Sequence, residues 1–352
     1  MGIDMVDNHP GHDIVVVGAS MGGIEALGQL VAGLPADLPA AVFLVQHMAA
    51  GSPGMLARLF ARNAVLPVEP AVDGQPIRKG RVYVAVPDRH LLLIDGHVRL
   101  VHGPRENRAR PAIDLLFRSA AVAYASRVVG VVLTGFLDDG TAGLHAIKRC
   151  GGLAVVQAPF DAAYPDMPRS ALQNVAVDHS VPLSEIPVLL ARLAVEPAPP
   201  APPVPDDIRV ELGLLTSTVG TEEMAQADAV KTSLVCPECG GTIYEVQGDA
   251  IQRFRCHVGH AYTAATLLDD QSDSLERALW AAVRTLEDRA TLLDKMAGDS
   301  DRRGISTIGD DYRAKAQEAR RHSDEIHRLL MSQAERSVVV AETPEQAPAR
   351  PR

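Results

Sequence analysis

Basic residues are in the minority: 34 Lys and Arg stand against 44 Asp and Glu, a formal charge of −10 over 352 residues. A general nucleic-acid binder would normally show a basic face, so no nucleic acid is expected as a partner. Long apolar runs are missing too. No stretch approaches the ~20 uninterrupted apolar residues of a membrane helix, and no membrane insertion is expected. Residues 1–13 carry acids and a Pro-Gly pair where a secretory signal would place a basic head and an apolar run. A cytoplasmic location is the resulting expectation. Cysteine is sparse, at four residues, and its placement is more telling than its number. Cys150 stands alone and reads as an ordinary thiol. Cys236, Cys239 and Cys256 fall in one short window, which in a cytosolic chain points to metal before disulfide.

Apolar residues are plentiful, at 47% of the chain, so wholesale disorder is excluded and the length suggests two or three units. The clearest boundary is 194–207, AVEPAPPAPPVPDD, whose proline density favours an extended, semi-rigid spacer. Before it, β-branched runs at 14–17, 41–45, 128–133 and 153–156 alternate with helical patterns after Gly22, after Ser52, at 113–124 and at 142–148. Alternation of this kind predicts an α/β domain over 1–193 with a doubly wound, mainly parallel sheet. A hairpin-like insertion at 82–86, 91–94 and 98–101 interrupts it, with Asp95-Gly96 as a tight-turn pair. After the spacer, 208–262 is short and turn-rich. Residues 263–336 carry two heptad-like stripes that predict a helical hairpin whose faces bury each other, and 337–352 reads as a disordered tail.

The first strand runs into Gly18-Ala19-Ser20-Met21-Gly22-Gly23, a G-x-S-x-G pattern. Small residues on either side of a serine permit the sharp strand-to-helix turn that exposes its hydroxyl, with following N–H groups facing an oxyanion. A glycine-rich first turn is also how a dinucleotide-binding fold begins. That reading expects an acid at the end of the second strand, where this chain has Gln46-His47. Imidazole is the base a hydroxyl nucleophile needs. A further strand ends in LTGFLDDGT, which carries Asp138 and Asp139. Each acid alone reads as a turn former or cap. Serine, histidine and aspartate at three strand ends of one sheet, however, are the components of a triad. Their chain order differs from that of the α/β-hydrolases.

The runs VVVGASMGGIEAL, FLVQHM, NRARPAIDLLFRSAA, VVLTGFLDDGTAGL and YPDMPRSAL, in that order, resemble the catalytic domain of the chemotaxis protein-glutamate methylesterases (CheB). The resemblance implies a serine hydrolase that removes methyl esters from receptor glutamates and can deamidate certain glutamines. By motif position it implies Ser20 as nucleophile, His47 as general base and Asp139, rather than Asp138, as the acid that orients the histidine. Backbone donors near Met21, Gly22 and Gly23 are expected to hold the oxyanion, with Phe136 beside them where family members commonly have methionine. Arg108, Arg110 and Arg169 are expected near the cleft, facing an acidic helical substrate. The implied partners are a methyl-accepting receptor or receptor-like protein and, for regulation, a separate response regulator or kinase. No cofactor is expected for the hydrolysis. A triad esterase with another ester substrate, and a nonenzymatic signalling scaffold, are the rival readings.

Well-known family members begin with a phosphoacceptor receiver domain. Here the first strand starts near residue 13, so gating by a receiver in cis is not expected. The C-terminal half carries instead Cys236-Pro-Glu-Cys239-Gly-Gly and Cys256-His257-Val-Gly-His260. A C-x-x-C knuckle turns two thiolates toward one ion, and the second motif adds a thiolate and an imidazole. Cys236, Cys239, Cys256 and His260 are expected to hold a structural zinc, with His257 as the weaker alternative for the fourth ligand. The short segment has little core of its own, so metal would account for its folding.

Overall fold

Strand β1 (Ile14–Ala19) is apolar along its whole length because both of its faces are covered. Ile14 and Val16 enter one core cluster, while Val15 and Val17 enter the other. A parallel strand between two helical layers is expected to read this way, with no polar alternation. The computed structural model describes residues 11–216, 229–247 and 251–342. The chain divides into two compact units, Met1–Leu268 and Asp269–Arg352.

In the first unit β1 is followed by α1 (Gly23–Gly33), β2 (Ala41–Gln46), α2 (Leu56–Phe60), β3 (Val68–Pro70) and β4 (Arg81–Val84). The antiparallel hairpin β5 (His90–Ile94) and β6 (His97–Val101) comes next, turning at Asp95 and Gly96, both at positive φ. Then come α3 (Ile113–Tyr124), β7 (Val128–Val132), α4 (Thr141–Arg149), β8 (Leu153–Gln157), α5 (Asp166–Asn174), β9 (His179–Val181) and α6 (Ile186–Val195). Seven strands form one sheet in the order β3-β4-β2-β1-β7-β8-β9, and every pairing is parallel. Helices α1, α2 and α6 cover one face, and α3, α4 and α5 the other. The doubly wound parallel sheet of the sequence reading is therefore observed. One detail differs: 82–86 is no part of the hairpin, because Val82 to Val84 pair in parallel with β2 inside the main sheet.

The chain leaves β1 toward β2 on one side and returns to β7 on the other. Crevices outside the carboxyl ends of strands at such a reversal are where open α/β sheets bind ligands.

The proline-rich stretch is not a free spacer. Ser126 Oγ donates to the Pro199 carbonyl at 2.7 Å, Pro197 bridges to Gly11, and Ala198 is buried. An extended proline segment has no N–H to satisfy at each Pro but keeps its carbonyls, which suits it to lie along a surface. It leads into α7 (Asp206–Thr216), whose Ile208 joins the α3-side core. Strands β10 (Ala229–Val235), β11 (Thr242–Val246), β12 (Arg253–Cys256) and β13 (Ala261–Thr263) form an antiparallel ribbon within the same compact unit. The described residues of 208–262 thus belong to one compact unit with those of the sheet domain and are not separated from it.

Helix α8 (Ala264–Arg302) begins in the first unit and continues into the second, where α9 (Ser306–Glu342) follows after a three-residue turn. Ala290, Ala316 and Ala319 form a small seam between them, joined by Leu286 and Leu293. Arg313 pairs with Asp301 and Arg320 with Asp294, an antiparallel register. Part of the expected tail, 337–342, continues α9, and 343–352 lies outside the described residues. Among the described residues, no helix is long and apolar enough to cross a membrane.

Candidate active site

Ser20 follows β1 directly, His47 follows β2 directly, and Asp139 lies in the loop after β7. These three strands are neighbours, so the shared edge of the sheet brings together residues distant in sequence. Backbone bonds fix the turns: Ser20 N donates to Thr134 O at 2.9 Å and His47 N to Ala19 O at 3.1 Å. Gly22, the residue before α1, has φ 73, a left-handed conformation natural to glycine. Gly135 is required by proximity, since a Cβ there would stand 2.1 Å from Met167 Sδ and 2.7 Å from Ser20 Cβ.

His47 Nδ1 lies 3.1 Å from Ser20 Oγ, and His47 Nε2 lies 2.6 Å from Asp139 Oδ2. Asp139 is 2% exposed. As an ionised carboxylate it can only accept, so Nε2 carries the proton and Nδ1 is left to accept from the Ser20 hydroxyl. Asp139 is otherwise saturated: Oδ2 accepts from Ile113 N at 2.7 Å, and Oδ1 from Asn107 Nδ2 at 2.8 Å, Gly140 N at 3.1 Å and Asp114 N at 3.2 Å. Burial alone would push its pKa up, but the bonds and charge of His47, with those from Ile113 and Asn107, hold it below the usual carboxylate range. Asp114 goes the other way. Burial, then the charges of Asp139 and Glu106, raise it well above that range. The environment thus divides two adjacent carboxyls, keeping the charge on Asp139.

Asp138, the alternative acid, is turned away. Its Oδ1 accepts from Thr263 Oγ1 at 2.9 Å. Burial raises it to about 6.

A cleft of about 480 Å³ opens over these groups, lined by Ser20, His47, Asp139, Arg105, Asn107, Arg108, Arg110, Phe136 and Thr266 among others. Phe136 is 47% exposed and meets the Tyr164 ring edge-on at 4.7 Å. Arg110 is committed to the wall: its Nε and Nη2 donate to Asp88 Oδ1 and its Nη1 to Gly103 O. Arg108 lines the cleft, whereas Arg169 is exposed on α5 and is not among the lining residues. Met21 and Gly22 adjoin Ser20 without lining the cleft. Gly23 N donates to Ser20 O at 2.9 Å within the turn and is thereby removed from the set of free oxyanion donors.

Several site residues escaped the sequence reading. Asn107 and Asp114 sit within the NRARPAIDLLFRSAA run, so a signal existed without a role. Gln46 donates to Ser20 O at 2.7 Å and His47 O at 3.0 Å, and nothing but its position before His47 marked it. Thr263 ends β13 and Thr266 lies in the first turn of α8, and no spacing rule reaches them.

Away from the cleft, ligand atoms of Cys236, Cys239, Cys256 and His260 all lie within 4.8 Å of one another. His257 is outside this group; its ring lies where a Cβ on Gly241 would be, 2.1 Å from His257 Cε1.

The family model for CheB methylesterase matches residues 15–190. A protein-glutamate methylesterase/protein-glutamine glutaminase of Anaeromyxobacter dehalogenans is 42% identical over 181 residues, covering 51% of this chain and 53% of that one. A putative enzyme of the same description from Leptospira interrogans is 39% identical over 183 residues, covering 52% of this chain and 95% of that one. The crystal structure of the Thermotoga maritima CheB methylesterase catalytic domain aligns with a TM-score of 0.50 at 34% identity, over 51% of this chain and 98% of that one. This chain therefore spans about half the length of the Anaeromyxobacter relative and nearly all of the Leptospira one.

Proposed function

Because the chain belongs to the CheB methylesterase family, we propose that it is a serine hydrolase that cleaves methyl esters of glutamate side chains on a methyl-accepting receptor or receptor-like protein. The observation that carries this reading is the hydrogen-bonded series Ser20, His47, Asp139 at the carboxyl ends of three adjacent strands.

The chemistry follows from the tautomer. His47 Nδ1 takes the Ser20 proton as Oγ forms a bond to the ester carbonyl carbon. The N–H groups of Met21 and Gly22 are the proposed oxyanion donors. Collapse of the tetrahedral intermediate breaks the bond to the methoxy oxygen, and His47 returns its proton to leaving methanol. Water then attacks the acyl-enzyme, again giving a proton to Nδ1, and glutamate and free Ser20 result. A primary amide would pass through the same steps with ammonia leaving, which is the route to glutamine deamidation. Asp139 stays ionised throughout and stabilises the imidazolium. Arg108, on the cleft wall, is the proposed contact for acidic residues flanking the substrate glutamate.

Methanol release from methylated receptor cytoplasmic segments tests the reading. The native chain is expected to release it and Ser20→Ala to be slower by roughly 10³-fold or more. Equal release from both would overturn Ser20 as nucleophile. No release from the receptor, with turnover of another ester, would assign the same triad to a different substrate.

A further inference from the structure

The four ribbon ligands all lie within 4.8 Å of one another, and three of their separations have the spacing of a tetrahedral metal site. A zinc ion holds thiolates at ~2.3 Å and imidazole at ~2.0–2.1 Å, so neighbouring donors stand roughly 3.5–3.8 Å apart. Here Cys239 Sγ and Cys256 Sγ are 3.7 Å apart, Cys256 Sγ and His260 Nδ1 3.5 Å, and Cys236 Sγ and His260 Nδ1 3.8 Å. All four cysteines of the chain are unbridged. Two tight knuckles present the ligands: Gly240 N donates to Cys236 O at 2.8 Å and Gly259 N to Cys256 O at 2.9 Å. The ribbon's own core is small, with Ile243, Phe254, Tyr262 and Leu267 around the two buried cysteines. His260 turns its other nitrogen, Nε2, toward Glu238 at 3.5 Å, the kind of carboxylate that orients a metal-bound imidazole.

This ribbon is joined to the cleft. Glu238 also faces Arg105, which lines the cleft, at 3.5 Å. Residues 105–107 pair along the β13 edge: Ala261 N donates to Arg105 O, and Asn107 N to Ala261 O at 2.8 Å. The side chain of Asn107 is then fully committed. Its Oδ1 accepts from Thr263 N and Thr266 Oγ1, each at 3.1 Å, and its Nδ2 donates to Asp139 Oδ1 and Asp114 Oδ2, each at 2.8 Å. The ribbon donors and the two carboxyl groups hold opposite ends of the same amide. Without the ribbon donors the amide oxygen is left unpaired, and the side chain loses the anchor that holds Nδ2 against Asp139.

We propose that Cys236, Cys239, Cys256 and His260 bind one zinc ion, and that the zinc-folded ribbon positions Asp139 through Asn107, which makes metal occupancy a condition of efficient catalysis. Zinc takes no part in the chemistry in this scheme. Its four ligands leave no open position, and Asn107 is a positioning residue acting through Asp139. The proposal rests on the triad reading for its catalytic half only; the metal half stands by itself.

The test uses the full-length chain. Metal analysis is expected to find one zinc per chain, and Cys239→Ser to lose it; less than about half an equivalent in freshly purified protein would overturn the site. Chelation is expected to lower kcat about tenfold with KM changed less than twofold, and added zinc to restore it. In proton NMR, the downfield signal of the His47 Nε2–H should shift or broaden on zinc removal and return on reloading, a readout that needs no substrate. An unchanged signal and kcat in zinc-free protein would overturn the coupling. Asn107→Ala guards against simple unfolding: it is expected to keep its zinc, lose about tenfold in kcat, and become less sensitive to chelation than the native chain. Full activity in zinc-loaded Asn107→Ala would overturn the proposal. If no ester is hydrolysed while zinc and the NMR response are present, the fault lies with the methylesterase reading and not with the metal coupling.

Discussion

His47 meets Ser20 through Nδ1 and gives Nε2 to Asp139, at 3.1 and 2.6 Å. The tautomer is thereby set by an acceptor that is buried and bonded on both oxygens. Asp139→Asn would place an amide, able to donate, opposite Nε2 and favour the other tautomer. The expected result is a fall in kcat of about 10³–10⁴-fold with the fold retained. A loss under tenfold would show that Asp139 does not orient His47.

Arg108 and Arg169 separate cleft from surface. Arg108 lines the cleft and Arg169 does not. Arg108→Ala is expected to raise KM for receptor segments about tenfold with kcat within twofold, the pattern of lost uniform binding. Arg169→Ala should leave both constants unchanged. Steady-state kinetics on both variants decides it, and the opposite ranking would move the substrate path toward α5.

A buried ion cluster joins the ribbon to the sheet domain. Glu106 and Glu211 stand among Arg118, Arg253 and Arg255, with Arg118 Nη2 at 2.9 Å from Glu106 and 3.2 Å from Glu211. Burial would raise Glu211, yet Arg118, Arg253 and Arg255 hold it down to about 2. Its contribution to stability is therefore present above the unfolded value and lost as pH falls toward 2. Removing one charge strands the others, so Glu211→Ala is expected to cost about 3–5 kcal/mol at pH 7. Urea unfolding checks this. A cost under ~1 kcal/mol would mean that water or rearrangement replaces the lost charge.

Asp138 offers a pH signature of opposite sign. Burial raises it to about 6, so its favourable, protonated form is present below its unfolded pKa and lost as pH rises through 6. Asp138→Asn keeps an oxygen for the Thr263 hydroxyl and removes the charge. At pH 8 it is expected to be more stable than the native chain by about 1–2 kcal/mol, with no difference of that sign at pH 4. Thermal melts across this range test it; a variant less stable at pH 8 would refute the assignment.

Much of this architecture is legible in the linear sequence because its signals are local. The continuous β-branched run at Ile14 marks a strand covered on both faces, and helix α3 occupies the same residues, 113–124, that the apolar period marks. Ser20 and His47 are legible at strand ends because each immediately follows such a run, and Asp138-Asp139 because they lie in the glycine-flanked loop after the run at 128–133. In the sequence only resemblance separates the two aspartates; in the fold it is hydrogen bonding, with His47 on Asp139 and Thr263 on Asp138. Short edge strands such as β3 and β9 gave no usable period over three residues. The docking of the ribbon was invisible for a different reason. Thr263 reaches Asn107 across 156 positions, and Glu211 reaches Arg253 across 42, with polar side chains that from sequence alone look like solvated surface. The docking of the proline-rich stretch is hidden in the same way, since composition gives its conformation but not what it lies against.

Covalent capture shows whether Ser20 is a nucleophile activated by His47. The full-length protein would be treated with a fluorophosphonate and the modified peptide located by mass spectrometry. A single adduct on Ser20, absent in Ser20→Ala and formed at least roughly 10³-fold more slowly in His47→Ala, is the expected result. Labelling on another residue, or equal rates with and without His47, would contradict it.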